Sequence, residues 1–260
     1  MPVITLTSDW NQDDYYCGAV KGQIVSGCPE VTIVDISHNI QPFNTARAAF
    51  VLKNSYHYFP AGTVHTIWVN CESGKPPVFM AVRYDEHYFV GADNGLFGLL
   101  FRREPDAIVR LESDPEESSF SSLKPFCRAA CHLAKGKEIN ELGDETDEYV
   151  KSIPRRATID ENIITGSVIY IDSYRNAITN ITLDLFERVG KGRPFEILVQ
   201  SNHYRIGRLG KIYDTTPPGE MLALFNSLNL MEIAMNKGDL ADLLNLDTNS
   251  SVRVKFRDRQ

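Results

Sequence analysis

Apolar runs in the first half of the chain alternate with amphipathic segments, and this alternation is the strongest constraint on the fold. Short apolar runs predict strands, and longer segments with apolar residues at helical spacing predict helices. The best helical pattern covers 42–58, where Ala46, Phe50, Leu52 and Tyr56 recur at roughly helical spacing. Strands are predicted at 3–7, 31–36, 64–70, 78–83, 88–91 and 107–111, and the other helices at 13–26, 96–101 and 123–134. A β-α-β-α order favours a mainly parallel sheet covered by helices.

The pattern changes after a polar, acidic segment at 138–156, which we interpret as a linker or a surface loop. Beyond this segment, short β-like runs follow one another closely, as they do in a small sheet or barrel. These runs lie at 163–171, 177–183, 195–199, 203–206, 221–226, 231–235 and 252–256. We therefore expect two domains. An α/β domain with a mainly parallel sheet would cover 1–150, and a smaller all-β, barrel-like domain would cover 157–260.

Composition argues against several classes of protein. The chain of 260 residues has a net charge of −7, and its basic residues are scattered apart from a short tail at 255–259, so no nucleic-acid partner is expected. No apolar run approaches the length of a membrane span and no signal peptide is evident, so no membrane partner is expected either. The five cysteines form no zinc-ligand pattern and are interpreted as free thiols in a reducing compartment. The sequence thus predicts a cytoplasmic protein.

Motifs for the common cofactors are missing from the sequence. There is no G-x-G-x-x-G and no P-loop, so dinucleotides and nucleoside triphosphates lose support as ligands. None of the six histidines has a metal-ligand spacing, and His132 is interpreted as a packed core residue. G-x-S-x-G is absent as well. We expect no metal and no cofactor, whereas an adenosyl ligand without phosphates remains possible.

The segment at 171–181 reads Ile-Asp-Ser-Tyr-Arg-Asn-Ala-Ile-Thr-Asn-Ile. Asp172, Tyr174 and Asn176 follow in quick succession where a predicted strand ends. An acid, an aromatic ring and an amide could together hold a ligand with a cation, a flat base and exchangeable amides, such as S-adenosylmethionine (SAM). The alternative is an ordinary β-turn, because Asp, Ser and Asn side chains readily bond nearby backbone.

A second candidate, Asp9, lies just past the end of the first predicted strand, where open α/β sheets bind their ligands. A carboxylate at this place can accept hydrogen bonds from both hydroxyls of a ribose. The alternative is that Asp9 is a helix N-cap. The tripeptide Asp93-Asn94-Gly95 is interpreted as a turn that leads into a helix.

Seven segments of the chain match, in order, the motifs of one family. The first, at 7–22, reads Thr-Ser-Asp-Trp-Asn-Gln-Asp-Asp-Tyr-Tyr-Cys-Gly-Ala-Val-Lys-Gly. The others lie at 34–40, 58–65, 92–96, 171–181, 213–220 and 226–236. With these segments the chain resembles the SAM hydroxide adenosyltransferases (SAM hydrolases), relatives of the SAM-dependent fluorinase and chlorinase. The resemblance extends over essentially the whole chain.

The resemblance implies an α/β N-terminal domain, a β C-terminal domain and a homotrimer with SAM as the substrate. The ligand would lie between the N-terminal domain of one subunit and the C-terminal domain of its neighbour. In the N-terminal domain, Asp9 would hold the ribose diol and Phe43 would pack beside the ligand.

In the C-terminal domain, the resemblance implies that Asp172 and Ser227 hold the methionine end of the ligand. Asn176 would bond the adenine edge, and Tyr174 and Tyr213 would stack on the adenine.

The implied chemistry is direct displacement at the ribose C5′, for which the sulfonium is already an excellent leaving group. In the hydrolases an Asp-Arg-His set positions or activates water, and this chain has Asn70, Pro77 and Ser121 at the matching positions. Ser73 and Ser122 match hydroxyl-bearing positions that contact halide in the fluorinase. The catalytic residues are therefore expected to be Asn70, Ser73, Ser121 and Ser122.

Three functions stay open on this basis. Cleavage of SAM by water to adenosine and methionine is favoured, and the alternatives are a SAM-dependent halogenase and a non-catalytic SAM- or adenosine-binding protein. Glu72 and Lys75 could replace the lost acid and base, but they are interpreted as solvated surface charges. Arg175 stands where the family usually has Gly. Its side chain must therefore point away from the adenine, or the residues that hold the adenine must be arranged differently.

Overall fold

The computed structural model describes residues 1–72, 76–112 and 119–257. The chain forms two compact units, Met1–Ile153 and Pro154–Gln260. One sheet of seven strands lies in the first unit and one of eight in the second. Each unit is built around its own apolar core.

The first unit follows the predicted alternation of strands and helices. Its elements are β1 (Val3–Ser8), α1 (Tyr15–Gly27), β2 (Thr32–Ser37), α2 (Thr45–Lys53), β3 (Val64–Trp68), β4 (Phe79–Tyr84), β5 (His87–Ala92), α3 (Leu96–Leu100), β6 (Ala107–Leu111), α4 (Leu123–Ala134) and β7 (Gly143–Glu145). The helix predicted at 42–58 is shorter than expected. Asn44 caps its start by accepting a hydrogen bond from Arg47 N at 2.9 Å, and a separate 3₁₀ turn follows at Tyr56–Tyr58.

The sheet of the first unit is mixed, so the prediction of a mainly parallel sheet was wrong. Its strand order is β2-β1-β3-β5-β4-β6-β7. The strands β2, β1, β3 and β5 pair in parallel, whereas β4, β6 and β7 pair antiparallel. The reason is the short link between β4 and β5: Asp85 and Glu86 both have positive φ, 52° and 63°, as in a two-residue hairpin turn. A parallel pair would need a crossover of about a dozen residues.

Two helices cover each face of this sheet. On one face α1 and α4 contribute Val20, Ile24, Phe126 and Leu133 to a buried cluster. On the other face α2 and α3 pack through residues such as Leu52. The first unit is therefore a three-layer α/β structure. No helix in the described part of the chain is long and apolar enough to cross a membrane.

The second unit is antiparallel and nearly barrel-like. Its elements are β8 (Thr158–Asp160), β9 (Ile163–Ile171), β10 (Ala177–Thr182), α5 (Leu183–Gly190), β11 (Phe195–Val199), β12 (Arg205–Ile206), β13 (Met221–Phe225), β14 (Leu230–Met235), α6 (Leu240–Leu243) and β15 (Ser251–Phe256). Seven of the strands run in the order β12-β11-β15-β9-β10-β14-β13, and β8 pairs with β9. Just after β12, Gly210 N donates to Ala223 O of β13 at 2.8 Å, which brings the two ends of the sheet together. The helix α5, which we did not predict, starts at a Thr182 cap.

Candidate functional site

Asp9 lies immediately after β1, and backbone groups fix its carboxylate. The Oδ2 atom accepts hydrogen bonds from Phe43 N at 2.9 Å and from Asn70 N at 3.1 Å. The Oδ1 atom makes no hydrogen bond within the described part of the chain. The N-cap interpretation of Asp9 was wrong, because α1 begins at Tyr15 with Asp14 as its capping residue. An oriented carboxylate with one open oxygen is suited to accept hydrogen bonds from a ligand.

The two residues that bind Asp9 have unusual backbone conformations. Phe43 and Asn70 have φ values of 65° and 51°, in the left-handed region that non-glycine residues seldom occupy. Each such residue costs about 1–3 kcal/mol and persists where its surroundings hold it. The Phe43 side chain is 74 % exposed, although a large aromatic side chain normally gains stability from burial. The structure thus maintains an exposed aromatic ring beside an oriented carboxylate.

Asn94 is a supporting residue whose role the sequence did not reveal. Its Nδ2 donates to the carbonyl oxygens of Val69 and Asn70, both at 2.9 Å, and its Oδ1 accepts from Leu96 N at 3.2 Å. The predicted turn at this place is present, since Gly95 has a φ of 90°. The Asp-Asn-Gly motif correctly predicted the turn that starts α3, and the same turn also holds the backbone of Asn70.

Polar groups of one further segment, at 121–122, contact the residues that follow Asn70. Ser122 stands at the start of α4 and is 1 % exposed, and its Oγ acts on the neighbouring Cys71 thiol but makes no hydrogen bond of normal geometry to a described residue. Ser121 Oγ donates to Glu72 Oε2 at 2.8 Å. Burial raises the pKa of the Cys71 thiol far above its usual range, and the charges of Asp9 and Glu72 raise it further. Cys71 is therefore a neutral thiol between two carboxylates. Ser73 and Lys75 lie outside the described residues.

In the second unit, Asp172 and Asn176 form a closed turn between β9 and β10. Asp172 Oδ1 accepts from Asn176 N at 2.8 Å, and Oδ2 accepts from Asn176 Nδ2 at 3.1 Å. Tyr174, between them, is 78 % exposed. The residues that were expected to hold a ligand therefore form a turn, as the alternative interpretation predicted. This turn leaves Tyr174 projecting into solvent.

Arg175 turns its side chain to another element. Its φ is 64°, a conformation for which Gly is better suited. The guanidinium pairs with Asp242 in α6, and the Arg175 carbonyl accepts from Ala241 N at 3.1 Å. The long side chain that departs from the family pattern is thus drawn to α6 by an ion pair.

A buried carboxylate, Glu232, connects other predicted site residues. Only 3 % exposed, it accepts from Tyr213 Oη at 2.6 Å and from Asn226 Nδ2 at 3.1 Å. Burial raises the pKa of Tyr213, and the hydrogen bond to Glu232 and the charges of Glu232 and Asp172 raise it further. Glu232 lies within the matched segment at 226–236, for which no separate role of this residue was expected.

Ser227 stands apart from these contacts. It lies exposed in the turn between β13 and β14, and Asn226 Oδ1 shapes that turn by accepting from Leu228 N at 3.0 Å and Leu230 N at 3.3 Å. Ser227 makes no side-chain hydrogen bond to a described residue. The first unit thus brings Asp9, Phe43 and Asn70 together, and the second brings Asp172, Asn176 and Tyr213 together.

Known proteins match the chain along nearly its whole length. The model of the SAM hydroxide adenosyltransferase N-terminal domain matches residues 4–143, and that of the C-terminal domain matches residues 166–253. The (R)-S-adenosyl-L-methionine hydrolase of Methanocaldococcus jannaschii is 34 % identical over 98 % of this chain and 97 % of its own, and that of Thermus thermophilus is 27 % identical over 98 % and 100 %. A fluorinase from Actinoplanes is 24 % identical over 97 % of both chains.

The fold also matches a solved structure. An uncharacterized conserved protein from Thermotoga maritima superimposes with a TM-score of 0.87 at 25 % identity and covers 98 % of this chain and 100 % of its own. The predicted family is confirmed by these matches: the chain belongs to the SAM hydroxide adenosyltransferase family.

Proposed function

We propose that this protein cleaves SAM at C5′ with water and releases adenosine and methionine. The observation that carries the proposal is the Asp9 carboxylate, which two backbone N–H groups orient at the end of β1 with one oxygen open. In the proposal this oxygen receives the ribose hydroxyls, while Phe43 packs against the nucleoside. A fixed ribose presents C5′ to the groups around Asn70, and such alignment supplies much of the rate of a displacement reaction.

The second unit would bind the two ends of the ligand. Asp172 supplies a carboxylate for the methionine ammonium, and Ser227 supplies a hydroxyl. Asn176 bonds the adenine edge, and the rings of Tyr174 and Tyr213 stack on the base. The two sets of residues belong to different units, and, as the family resemblance implies, we propose that a site forms from the first unit of one subunit and the second unit of its neighbour in a homotrimer.

The leaving group needs little assistance from the enzyme in this reaction. The sulfonium departs as a neutral thioether, so it needs no general acid, and the enzyme has to align and activate the nucleophile. Asn70 can orient a water molecule through its amide but cannot take a proton from it. Ser122, whose buried hydroxyl makes no hydrogen bond of normal geometry to a described residue, offers a second hydrogen bond near the same place.

A halide nucleophile has one observation in its favour and one against it. The Ser122 hydroxyl could donate to a small anion. However, the charges of Asp9 and Glu72 both disfavour the ionised form of the intervening Cys71 thiol, and they would disfavour a halide in the same way. Water, which is neutral, is the better nucleophile for this environment.

A binding protein without turnover is the second candidate. It is favoured by the absence of the family's Asp-Arg-His set, since Asn70, Pro77 and Ser121 stand in its place. Incubation with SAM, with chromatography of the nucleosides and calorimetry in parallel, separates the candidates. Adenosine formation above the uncatalysed rate supports the hydrolase. Calorimetric binding without adenosine supports the binding protein, and a 5′-halonucleoside that forms only with added halide supports the halogenase.

A further inference from the structure

The hydrogen bond between Ser121 Oγ and Glu72 Oε2 joins two segments that are 49 residues apart. Glu72 follows β3 closely, and Ser121 precedes α4. At 2.8 Å the contact is a normal charge-assisted hydrogen bond, which holds one carboxylate oxygen, while the other makes no hydrogen bond to a described residue. The side chain interpreted from sequence as a free surface charge is therefore positioned by a partner.

Glu72 belongs to the short segment after β3 whose backbone is held by Asp9. Asn70 N donates to Asp9 Oδ2 at 3.1 Å, and Glu72 is two residues further along the chain. The thiol between them, Cys71, is influenced by the charges of both carboxylates. Glu72 thus supplies a second carboxylate in the same short segment as Asn70, the residue assigned to orient the water.

Other groups around Asn70 are poor proton acceptors. The Asn70 amide has no basic site. Cys71 stays neutral, since its raised pKa disfavours the thiolate. Asp9 uses Oδ2 for two backbone N–H groups and is assigned to the ribose. His38, the histidine that follows β2, is already engaged by Ser8 Oγ at 2.7 Å and by Cys17 Sγ at 3.3 Å.

We propose that Glu72, positioned by Ser121, is the general base for the attacking water, an inference that rests on the proposed function. The water oxygen forms the new bond to C5′ as the C5′–S bond breaks. The electron pair of that bond stays on sulfur, which leaves as the neutral thioether of methionine. One water proton passes to the Glu72 carboxylate and then to solvent, and adenosine keeps the other on its new 5′-hydroxyl. A base in this place performs the task that the family's Asp-Arg-His set performs elsewhere.

The substitution Glu72→Gln tests this role, because glutamine keeps an oxygen that accepts from Ser121 but cannot take a proton. We expect kcat for adenosine release to fall about 10²- to 10⁴-fold, the usual contribution of a general base. The Kd for SAM by calorimetry should stay within about twofold of the parent value, since the binding residues are unchanged. Glu30→Gln, at an exposed glutamate between α1 and β2, is the matched control and should keep the parent kcat.

The pH profile separates a base from a structural role. In the parent, the pH profile of kcat should show an acid limb, the mark of a general base, and this limb should be missing from Glu72→Gln. Ser121→Ala should lower kcat about tenfold, the effect of one lost hydrogen bond, and retain the acid limb. If the parent releases adenosine and Glu72→Gln matches its kcat and acid limb, the role of Glu72 is overturned and the proposed function stands. If the parent itself releases no adenosine, the proposed function is overturned and this role with it.

Discussion

The Asp9 carboxylate is held by two backbone N–H groups whose residues, Phe43 and Asn70, occupy left-handed conformations. Asp9→Asn can preserve these two contacts through the amide oxygen, so the change removes the charge while the loops keep their geometry. A hydrogen bond to a charged group contributes about 1.5–3 kcal/mol, and the Kd for SAM should therefore rise about 10- to 100-fold. Calorimetry measures the effect, with the exposed Asp13→Asn as the control. Unchanged affinity of Asp9→Asn would contradict the ribose assignment.

Glu232 is a second residue whose substitution has a defined outcome. Glu232→Ala leaves Tyr213 Oη and Asn226 Nδ2 without their acceptor in a partly buried place. Each unsatisfied group costs about 1–3 kcal/mol, so the free energy of unfolding should fall by at least that amount. Chemical denaturation measures it. Glu187→Ala, at an exposed position of α5, should change the free energy by less than about 0.5 kcal/mol. Equal stability of the two variants would show that the buried contacts contribute nothing.

Candidate site residues could be nominated from sequence where an acidic residue closely follows a predicted strand. Asp9 follows β1 and Asp172 follows β9, so position along the chain was enough to nominate both. Glu232 and Tyr213 meet across 19 residues, and Glu72 and Ser121 across 49. Such pairs depend on how strands and helices pack, which local patterns of hydrophobicity do not encode.

Among the elements, β9 was predicted with its observed bounds because its apolar run is long and ends at an acid. The prediction of a mainly parallel sheet was wrong because β4 and β5 are joined by only two residues, Asp85 and Glu86. This link is too short for the crossover that a parallel pair requires. The helix α5 was missed because its apolar residues directly follow those of β10. Element type was therefore predictable from periodicity, and strand direction depended on connection length.

A chain of buried side-chain hydrogen bonds joins three neighbouring strands and makes the free energy of unfolding depend on pH. Thr5 Oγ1 of β1 lies 2.8 Å from His65 Nδ1 of β3, and His65 Nε2 lies 3.2 Å from His87 Nδ1 of β5. Burial, and then the neighbouring His87, lower the pKa of His65 to about 3. The folded state therefore keeps His65 neutral, whereas the unfolded state takes up a proton below its ordinary pKa of about 6.5.

The free energy of unfolding should consequently fall as the pH drops from about 6.5 towards 3, by up to about 1.4 kcal/mol per pH unit for His65 alone. Urea denaturation at several pH values measures this slope. His65→Gln should reduce it, and His203→Gln, at an exposed position, should leave it unchanged. A slope that is the same in all three proteins would contradict the assignment to His65.

At the scale of the whole molecule, the proposal that neighbouring subunits share each site predicts complementation between two variants that bind SAM weakly and are nearly inactive at a SAM concentration below the parent Kd. Asp9→Asn disables the contribution of the first unit, and Asp172→Asn disables that of the second. When trimers assemble at random from equal amounts of both chains, half of the sites have an unsubstituted Asp9. Independently, half of the sites have an unsubstituted Asp172. About one quarter of the sites should then be fully intact.

Refolding the two variants together and measuring adenosine release tests this arrangement. Activity near one quarter of the parent value is expected, and light scattering should give the mass of a trimer. Activity no higher than that of the separate variants would place both halves of the site in one subunit.

Cleavage at C5′ by water is the central claim, and the origin of the oxygen in the product tests it most directly. SAM is incubated with the protein in ¹⁸O-enriched water, and the adenosine is analysed by mass spectrometry. The account predicts one ¹⁸O atom in adenosine, located at the 5′-hydroxyl, and none in methionine. Label in methionine, unlabelled adenosine or no adenosine above the uncatalysed rate would contradict it.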